Sequence, residues 1–467
     1  MAQHCFIKFL EASHVSPPPG SVPTTSLPLT FLDTLWISCC HIQRLFFYKF
    51  PYPTSHFLHN ALPNLKTSLS LTLQHFFPFA GNLKMPPLPQ RPYIYYADGD
   101  SLPFVVIEST ADFKHLITGN RPRHAQELED LVPNLPPPSM SSDGDNICKK
   151  QPLMAIQVTV FPNAGISIGI TFCHVAADGR AFGHFTKSWA SICRSLGDST
   201  SVRNIISPPN YNRDLIQDPR GIWTIFLKEL YDWETLERMT PTDNVRITPV
   251  INKSHVEMLK TWITRKYVEE TEKEPPRLST FVVTTAFMWV CLVKLKQSNK
   301  TPDQRLRNDD AICVFTFLAD CRYRLRLPTN YFGNCLEPCV ATAKRSELIG
   351  ENGMVVAAKA IGREILEFEK EPLRGAATWI SSGKEVLRKC EHYITLAGSP
   401  KLRVYETDFG WGRPAKSEVV HLGSQGSIAI AESNDEESGV EFGVPLAPDE
   451  FDKFNAIFEQ GLLNLCK

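Results

Sequence analysis

A histidine and an aspartate in a largely apolar stretch carry the strongest chemical signal in this chain. In "ITFCHVAADGRAF", His174 and Asp178 are spaced as His-x-x-x-Asp, and Gly179 follows at once. An imidazole titrates near neutrality without help, so a histidine is well suited to take a proton from a hydroxyl and return it to a leaving group. Transfer of an acyl group to a hydroxyl needs such a base. The same residues admit a plainer reading, a core histidine with a satisfied backbone bond and an aspartate capping the next helix. Cys173 offers a thiol nucleophile beside His174, but alternation along a strand turns the two side chains to opposite sides.

A second segment, "DFGWGRP" from Asp408 to Pro414, surrounds two aromatic residues with turn-forming positions and predicts an irregular, tightly bent loop. A protein-kinase reading of Asp408-Phe409-Gly410 fails. Neither a glycine-rich phosphate loop nor a His-Arg-Asp catalytic loop precedes it.

The elements that must position His174 can be read from periodicity. "MAIQVTVF" and "ISIGITFC", joined by "PNAG", predict a hairpin, with His174 just past its second strand. Gly179 then opens a helix whose Phe182, Phe185, Trp189 and Cys193 share one stripe. The motif therefore sits on a strand-to-helix loop. "LPNLKTSLSLTLQHFF" predicts an amphipathic helix stopped by Pro78, and "YIYY" and "LPFVVIEST" predict strands joined by the turn "DGD". The stretch from His115 to Asn146 reads as a polar, proline-rich excursion over the surface. Further on, Ser279 and Thr280 are candidate caps for a long buried helix through "FVVTTAFMWVCLVKLK", and strands and helices alternate to a closing helix at "DEFDKFNAIFEQGLL".

At 467 residues the chain exceeds the size of one core, and mixed strands and helices in both halves predict two α/β domains. The proline and polar bias from Gly197 to Arg220 marks a crossover, giving domains at 1–196 and 221–467 with a linker at 197–220. That division places "YFGNC" and "DFGWG" in the C-terminal domain. With 49 basic and 50 acidic residues, no global field favours nucleic acid or an anionic membrane. The 13 cysteines, an odd number scattered through apolar runs, read as reduced buried thiols, without zinc-type spacing for a metal. No signal pattern opens the chain and no apolar run reaches the roughly 20 residues of a membrane span, so a cytoplasmic location is expected.

Together, "HVAADG" and "DFGWG" resemble the plant BAHD acyltransferases, and the resemblance covers the whole chain. "SLPLTFLD", "SLSLTLQHFFPFAGNL", "LSTFVVTTAFMW", "ADCR" ending at Arg322, "YFGNC" from Tyr331 to Cys335 and "AGSPKL" from Ala397 to Leu402 match as well. The last two are similar to the branch that acylates anthocyanins and other flavonoid glycosides.

The resemblance implies two chloramphenicol-acetyltransferase-like domains with an active-site channel between them, and acyl-coenzyme A as co-substrate rather than bound cofactor. It implies that His174 is the base and that no acyl-enzyme forms. Asp178 is expected to pair with Arg322 and hold the loop, Gly179 to allow close approach at the helix start, and Asp408, Gly410 and Gly412 to be architectural. Trp411 is expected to support the channel wall, and the oxyanion donor is expected to be a hydroxyl or a backbone N–H near "AGSPKL", where Ser399 is the candidate side chain. Arg180 is the candidate cation for a malonyl donor. Lys253, Lys260 and Lys401 are candidates for the coenzyme phosphates. Aromatic walls around Phe31 to Trp36 and Phe182 would instead suit a hydroxycinnamoyl group, toward which the reading leans. The expected enzyme is a monomer acting on phenolic glycosides. The rival readings are a malonyltransferase, a silent ligand-binding relative, and a condensation-type enzyme, whose motif carries two adjacent histidines where Cys173 occupies the first place.

Overall fold

A computed structural model describes residues 6–119, 121–143, 146–195, 207–231, 243–273, 275, 278–300, 311–422, 426–434 and 439–466. The chain divides into two compact units. The first joins Met1–Arg238 with Arg326–Cys335 and Leu402–His421, and the second joins Met239–Leu325, Leu336–Lys401 and Leu422–Lys467. These are not the two contiguous halves expected from the sequence. The reason is hydrogen bonding: Tyr331 forms a parallel bridge with Asn210, and the strand Lys416–Val419 pairs with Ile42–Lys49. "YFGNC" and "DFGWG" thus belong to the same unit as His174. Of the expected linker, 197–206 lie outside the described residues, and 207–220 belong to the first unit.

In the first unit, a six-stranded sheet runs Ile7–Val15, Leu102–Ser109, Met154–Phe161, Gly165–Phe172, Ile42–Lys49 and Lys416–Val419. The predicted hairpin is its centre, with Met154 opposite Phe172 and Phe161 opposite Gly165. Every residue of both strands is buried, as their near-continuous apolar runs require. The helix Gly179–Arg194 follows, and its predicted stripe of Phe182, Phe185, Trp189 and Cys193 is buried. The helix Leu62–His75 ends where the 3-10 turn Phe77–Ala80, containing Pro78, begins.

Two expectations change. Tyr93–Tyr96 and Leu102–Ser109 are strands, but the first joins a separate five-stranded sheet and the second the six-stranded one. The turn between them is a crossing point between sheets. The proline-rich excursion also does more than cover surface, because its apolar residues find a core: Leu128, Leu131 and Val132 pack with Phe113, Phe161 and Leu45.

The second unit carries a mixed sheet in the order Leu336–Lys344, Ile312–Asp320, Cys390–Gly398, Ser427–Glu432, Val440–Leu446 and Val245–Ile247. Helices Lys253–Thr271, Thr280–Ser298, Gly353–Lys370 and Phe451–Leu463 supply its core together with these strands. Ser279 caps Thr280–Ser298 by accepting the N–H of Val282 at 3.2 Å. That helix, of 19 residues, is long and apolar enough to cross a membrane, contrary to the sequence expectation. Its apolar surface is spent on the core, and 67% of its most apolar window is buried.

Candidate active site

His174 begins a single 3-10 turn, His174–Ala176, between the strand Gly165–Phe172 and the helix Gly179–Arg194. The hairpin fixes where the turn starts and the helix cap fixes where it stops. Asp178 is that cap: its Oδ1 accepts the N–H groups of Arg180 at 3.1 Å and Ala181 at 3.0 Å. Its Oδ2 accepts the N–H of Cys335 at 3.1 Å. The fully buried carboxylate thereby ties the His174 turn to the "YFGNC" loop. A Cβ on Gly179 would stand 3.0 Å from Leu402 Cδ1, the close approach expected there.

The same loop supplies Asn334, to which the sequence reading gave no role. Its Oδ1 lies 3.1 Å from Nδ1 of His174, and its Nδ2 faces three acceptors: the His174 carbonyl at 2.9 Å, Asp33 Oδ1 at 3.2 Å and the Val175 carbonyl at 3.3 Å. An NH2 group belongs among those acceptors, so the amide orientation is fixed with oxygen toward the ring. Nδ1 must then carry the proton. The lone pair is left on Nε2, the form a general base needs.

Asp33 is the buried anion behind the amide. Its Oδ1 also accepts the Asn334 backbone N–H at 2.9 Å, and its Oδ2 accepts from Thr30 N at 2.9 Å and Thr30 Oγ1 at 2.7 Å. Thr30 and Asp33 form a capping box on the short helix Phe31–Thr34. Arg213 Nη1 stands 3.4 Å from Asp33 Oδ2 and donates to the Tyr331 hydroxyl at 3.1 Å. The arginine lies so close to the loop that a Cβ on Gly333 would come within 2.0 Å of its Nη1, and Gly333 also has a φ of 141°. Such a buried pair is expensive to desolvate, and its residues serve position before stability.

Trp36 covers one face of the imidazole, with ring centroids 3.9 Å apart and planes 8° from parallel. Burial pulls the His174 pKa below its ordinary value. Its backbone bond, the charge of Asp178, the Asn334 bond and the charge of Asp33 oppose that shift in part. The ring is therefore neutral at neutral pH. Cys173 points elsewhere, its Sγ 3.6 Å from the Pro152 carbonyl, and burial pushes its thiol up to about 12.

The "DFGWG" loop is built around Asp408, whose Oδ1 accepts the N–H groups of Gly410 at 2.8 Å and Gly412 at 2.9 Å. Gly410 and Gly412 have φ values of 100° and 88°, the left-handed region. Asp408 Oδ2 lies 3.6 Å from Arg194 Nη1 at the end of the helix that Asp178 caps. Phe409 is buried between Trp189 and Tyr48, and Trp411 packs edge-on to Tyr48 and Phe50. The loop braces this helix and the strand Ile42–Lys49.

Phe31 packs on Phe226 and Phe182 stacks on Phe172, so both are core rather than exposed walls. Arg180 is exposed at the helix start. Arg322 and Ser399 belong to the second unit. There Arg322 is buried with Nη1 3.2 Å from Asp320 Oδ1, and Ser399 Oγ accepts the N–H of Lys401 at 3.2 Å.

A family model described as "Transferase family" matches residues 8–461. The chain is 40% identical over 467 residues to coumaroyl-CoA:anthocyanidin 3-O-glucoside-6''-O-coumaroyltransferase 1 of Arabidopsis thaliana, covering 97% of each chain. It is 36% identical over 472 residues to malonyl-coenzyme A:anthocyanin 3-O-glucoside-6''-O-malonyltransferase of Dahlia pinnata, covering 98% of this chain and 97% of the relative. Among solved structures, vinorine synthase aligns with a TM-score of 0.69 at 20% identity over 98% of both chains. F. graminearum TRI101 complexed with coenzyme A and T-2 mycotoxin aligns with a TM-score of 0.63 at 13% identity, over 92% of this chain and 97% of that one.

Proposed function

Because this chain belongs to the BAHD transferase family, we propose that it moves a hydroxycinnamoyl group from coenzyme A to a sugar hydroxyl of an anthocyanin or flavonoid glycoside. His174 Nε2 takes the proton of the acceptor hydroxyl as its oxygen attacks the thioester carbonyl. A tetrahedral oxyanion forms, its C–S bond breaks, and the imidazolium returns the proton to the departing thiolate. Asn334 Oδ1 accepts from Nδ1 throughout, and Asp33 behind the amide favours the transient positive charge. The 3.1 Å contact between His174 and Asn334 carries this reading, because it leaves Nε2 free of its proton.

No acyl-enzyme is needed. A buried Cys173 thiol pushed up to about 12 stays protonated and unreactive at neutral pH. The preference for a hydroxycinnamoyl donor rests on the 40% identity to a coumaroyltransferase and on the flat Trp36 ring over the base. The 36% identity to a malonyltransferase supports the second reading, a malonyl donor for the same class of acceptor. A cytoplasmic, monomeric enzyme completes the proposal. Incubation with coumaroyl-CoA or malonyl-CoA and an anthocyanin 3-O-glucoside, followed by thiol release and product mass, tests it. The expected result is a larger kcat/KM for the coumaroyl donor. A larger value for malonyl transfers the assignment to the second reading, and no transfer from either overturns both.

A further inference from the structure

In the second unit the helices Lys253–Thr271, Thr280–Ser298, Gly353–Lys370 and Phe451–Leu463 frame a cavity of about 390 Å³. That volume falls in the roughly 300–1,000 Å³ range of small-molecule sites. Its apolar wall is formed by the buried Trp262, Phe287 and Val290 and the half-buried Met354 and Ile457. Glycine draws the framing elements together: a Cβ on Gly461 would stand 2.8 Å from Phe287 Cε2, and one on Gly353 2.0 Å from the Leu348 carbonyl oxygen.

Three cations, Arg265, Lys266 and Lys294, line the same cavity. Lys266 Nζ pairs with Glu269 at 3.0 Å and stands 3.8 Å from Glu351, and Arg265 Nε lies 3.9 Å from Glu269. Two carboxylates therefore meet three cations, and one positive charge is left over. Lys294 carries it, for this half-buried side chain makes no hydrogen bond or ion pair among the described residues. An unpaired ammonium beside an apolar wall suits a ligand that covers the wall with an apolar body and meets the charge with one anionic group.

We propose that this cavity binds a small aromatic monocarboxylate, with its ring against Trp262 and Phe287 and its carboxylate on Lys294. The single surplus charge selects a monoanion, because a phosphate dianion would bring one negative charge more than the lining balances. The two ring-bearing walls select a flat body, which surrenders less conformational freedom on binding than an alkyl chain of the same size. The site owes nothing to His174, and its test needs no acyl transfer.

Full-length protein is titrated calorimetrically with 2-naphthoate, and hydrogen exchange with and without the ligand locates the bound molecule. The expected result is saturable binding at one site, with exchange slowed in peptides that contain Trp262 to Lys266, Phe287 to Lys294, Gly350 to Met354 and Ile457 to Asn464. Lys294→Gln leaves the melting point unchanged and weakens binding by about tenfold, and uncharged 2-naphthamide binds wild type more weakly by a similar factor. Met354→Trp, which fills the cavity, abolishes binding; if it fails to fold, Lys294→Gln still decides. Equal affinity of Lys294→Gln, protection confined to other segments, or no binding at millimolar 2-naphthoate overturns the site. Tighter binding of octanoate or of 2-naphthyl phosphate overturns the aromatic monocarboxylate as its ligand.

Discussion

Asn334 fixes the protonation pattern of His174 from 160 residues away: its Oδ1 stands 3.1 Å from Nδ1, and its own amide is oriented by the carbonyl of the residue it serves. The contact makes the base and the "YFGNC" loop one unit. Asn334→Ala is expected to lower kcat by about 10 to 100-fold, with little change in KM, because a wrong tautomer costs the proton-transfer step. Steady-state kinetics with a circular dichroism melt checks this. A rise in KM at unchanged kcat would give Asn334 a substrate-binding role instead.

Asp178 is fully buried and occupied by backbone N–H groups, so its removal acts on the fold first. Asp178→Ala loses a helix cap and leaves the Cys335 N–H without this acceptor, a cost of about 2–4 kcal/mol. Urea unfolding should show that loss together with lower activity. Normal stability with only turnover lost would show that Asp178 acts in the chemistry itself.

How much of this was legible follows from distance along the chain. The hairpin, the His174 turn and the Asp178 cap lie within 30 residues, and local spacing revealed them. The resemblance also singled out "SLPLTFLD" and "YFGNC" without giving a role to Asp33 or Asn334. Thr30-x-x-Asp33 is itself a capping-box pattern, a local signal for the start of that short helix. That its carboxylate meets Asn334, 301 residues later, no local periodicity can reveal. The division into units escaped for the same reason, because Lys416–Val419 joins a sheet begun at Ile7.

The pH dependence has a defined sign. Burial, the largest influence, holds the His174 pKa below the ordinary 6.5, so the acid limb of kcat/KM should fall below pH 6.5, with a plateau above it. In the unfolded chain the ring binds its proton near 6.5, before the folded protein does, so the unfolded state gains protons first as pH drops. His174 therefore makes no difference to stability above 6.5 and subtracts from it increasingly below. A rate profile and urea midpoints over pH 5 to 8 check both statements. An acid limb above 6.5 would contradict the neutral, buried base.

The measurement that bears most directly on the account is the rate of His174→Ala with saturating coumaroyl-CoA and an anthocyanin 3-O-glucoside, beside a thermal melt of the same sample. The substitution gives up the Trp36 stacking and the Asn334 contact but leaves the backbone turn and the Asp178 cap in place, so the fold should persist with a lowered melting point while kcat drops by about 10²–10⁴-fold. A variant that folds normally and keeps its rate within tenfold of wild type would show that the proton moves by another route.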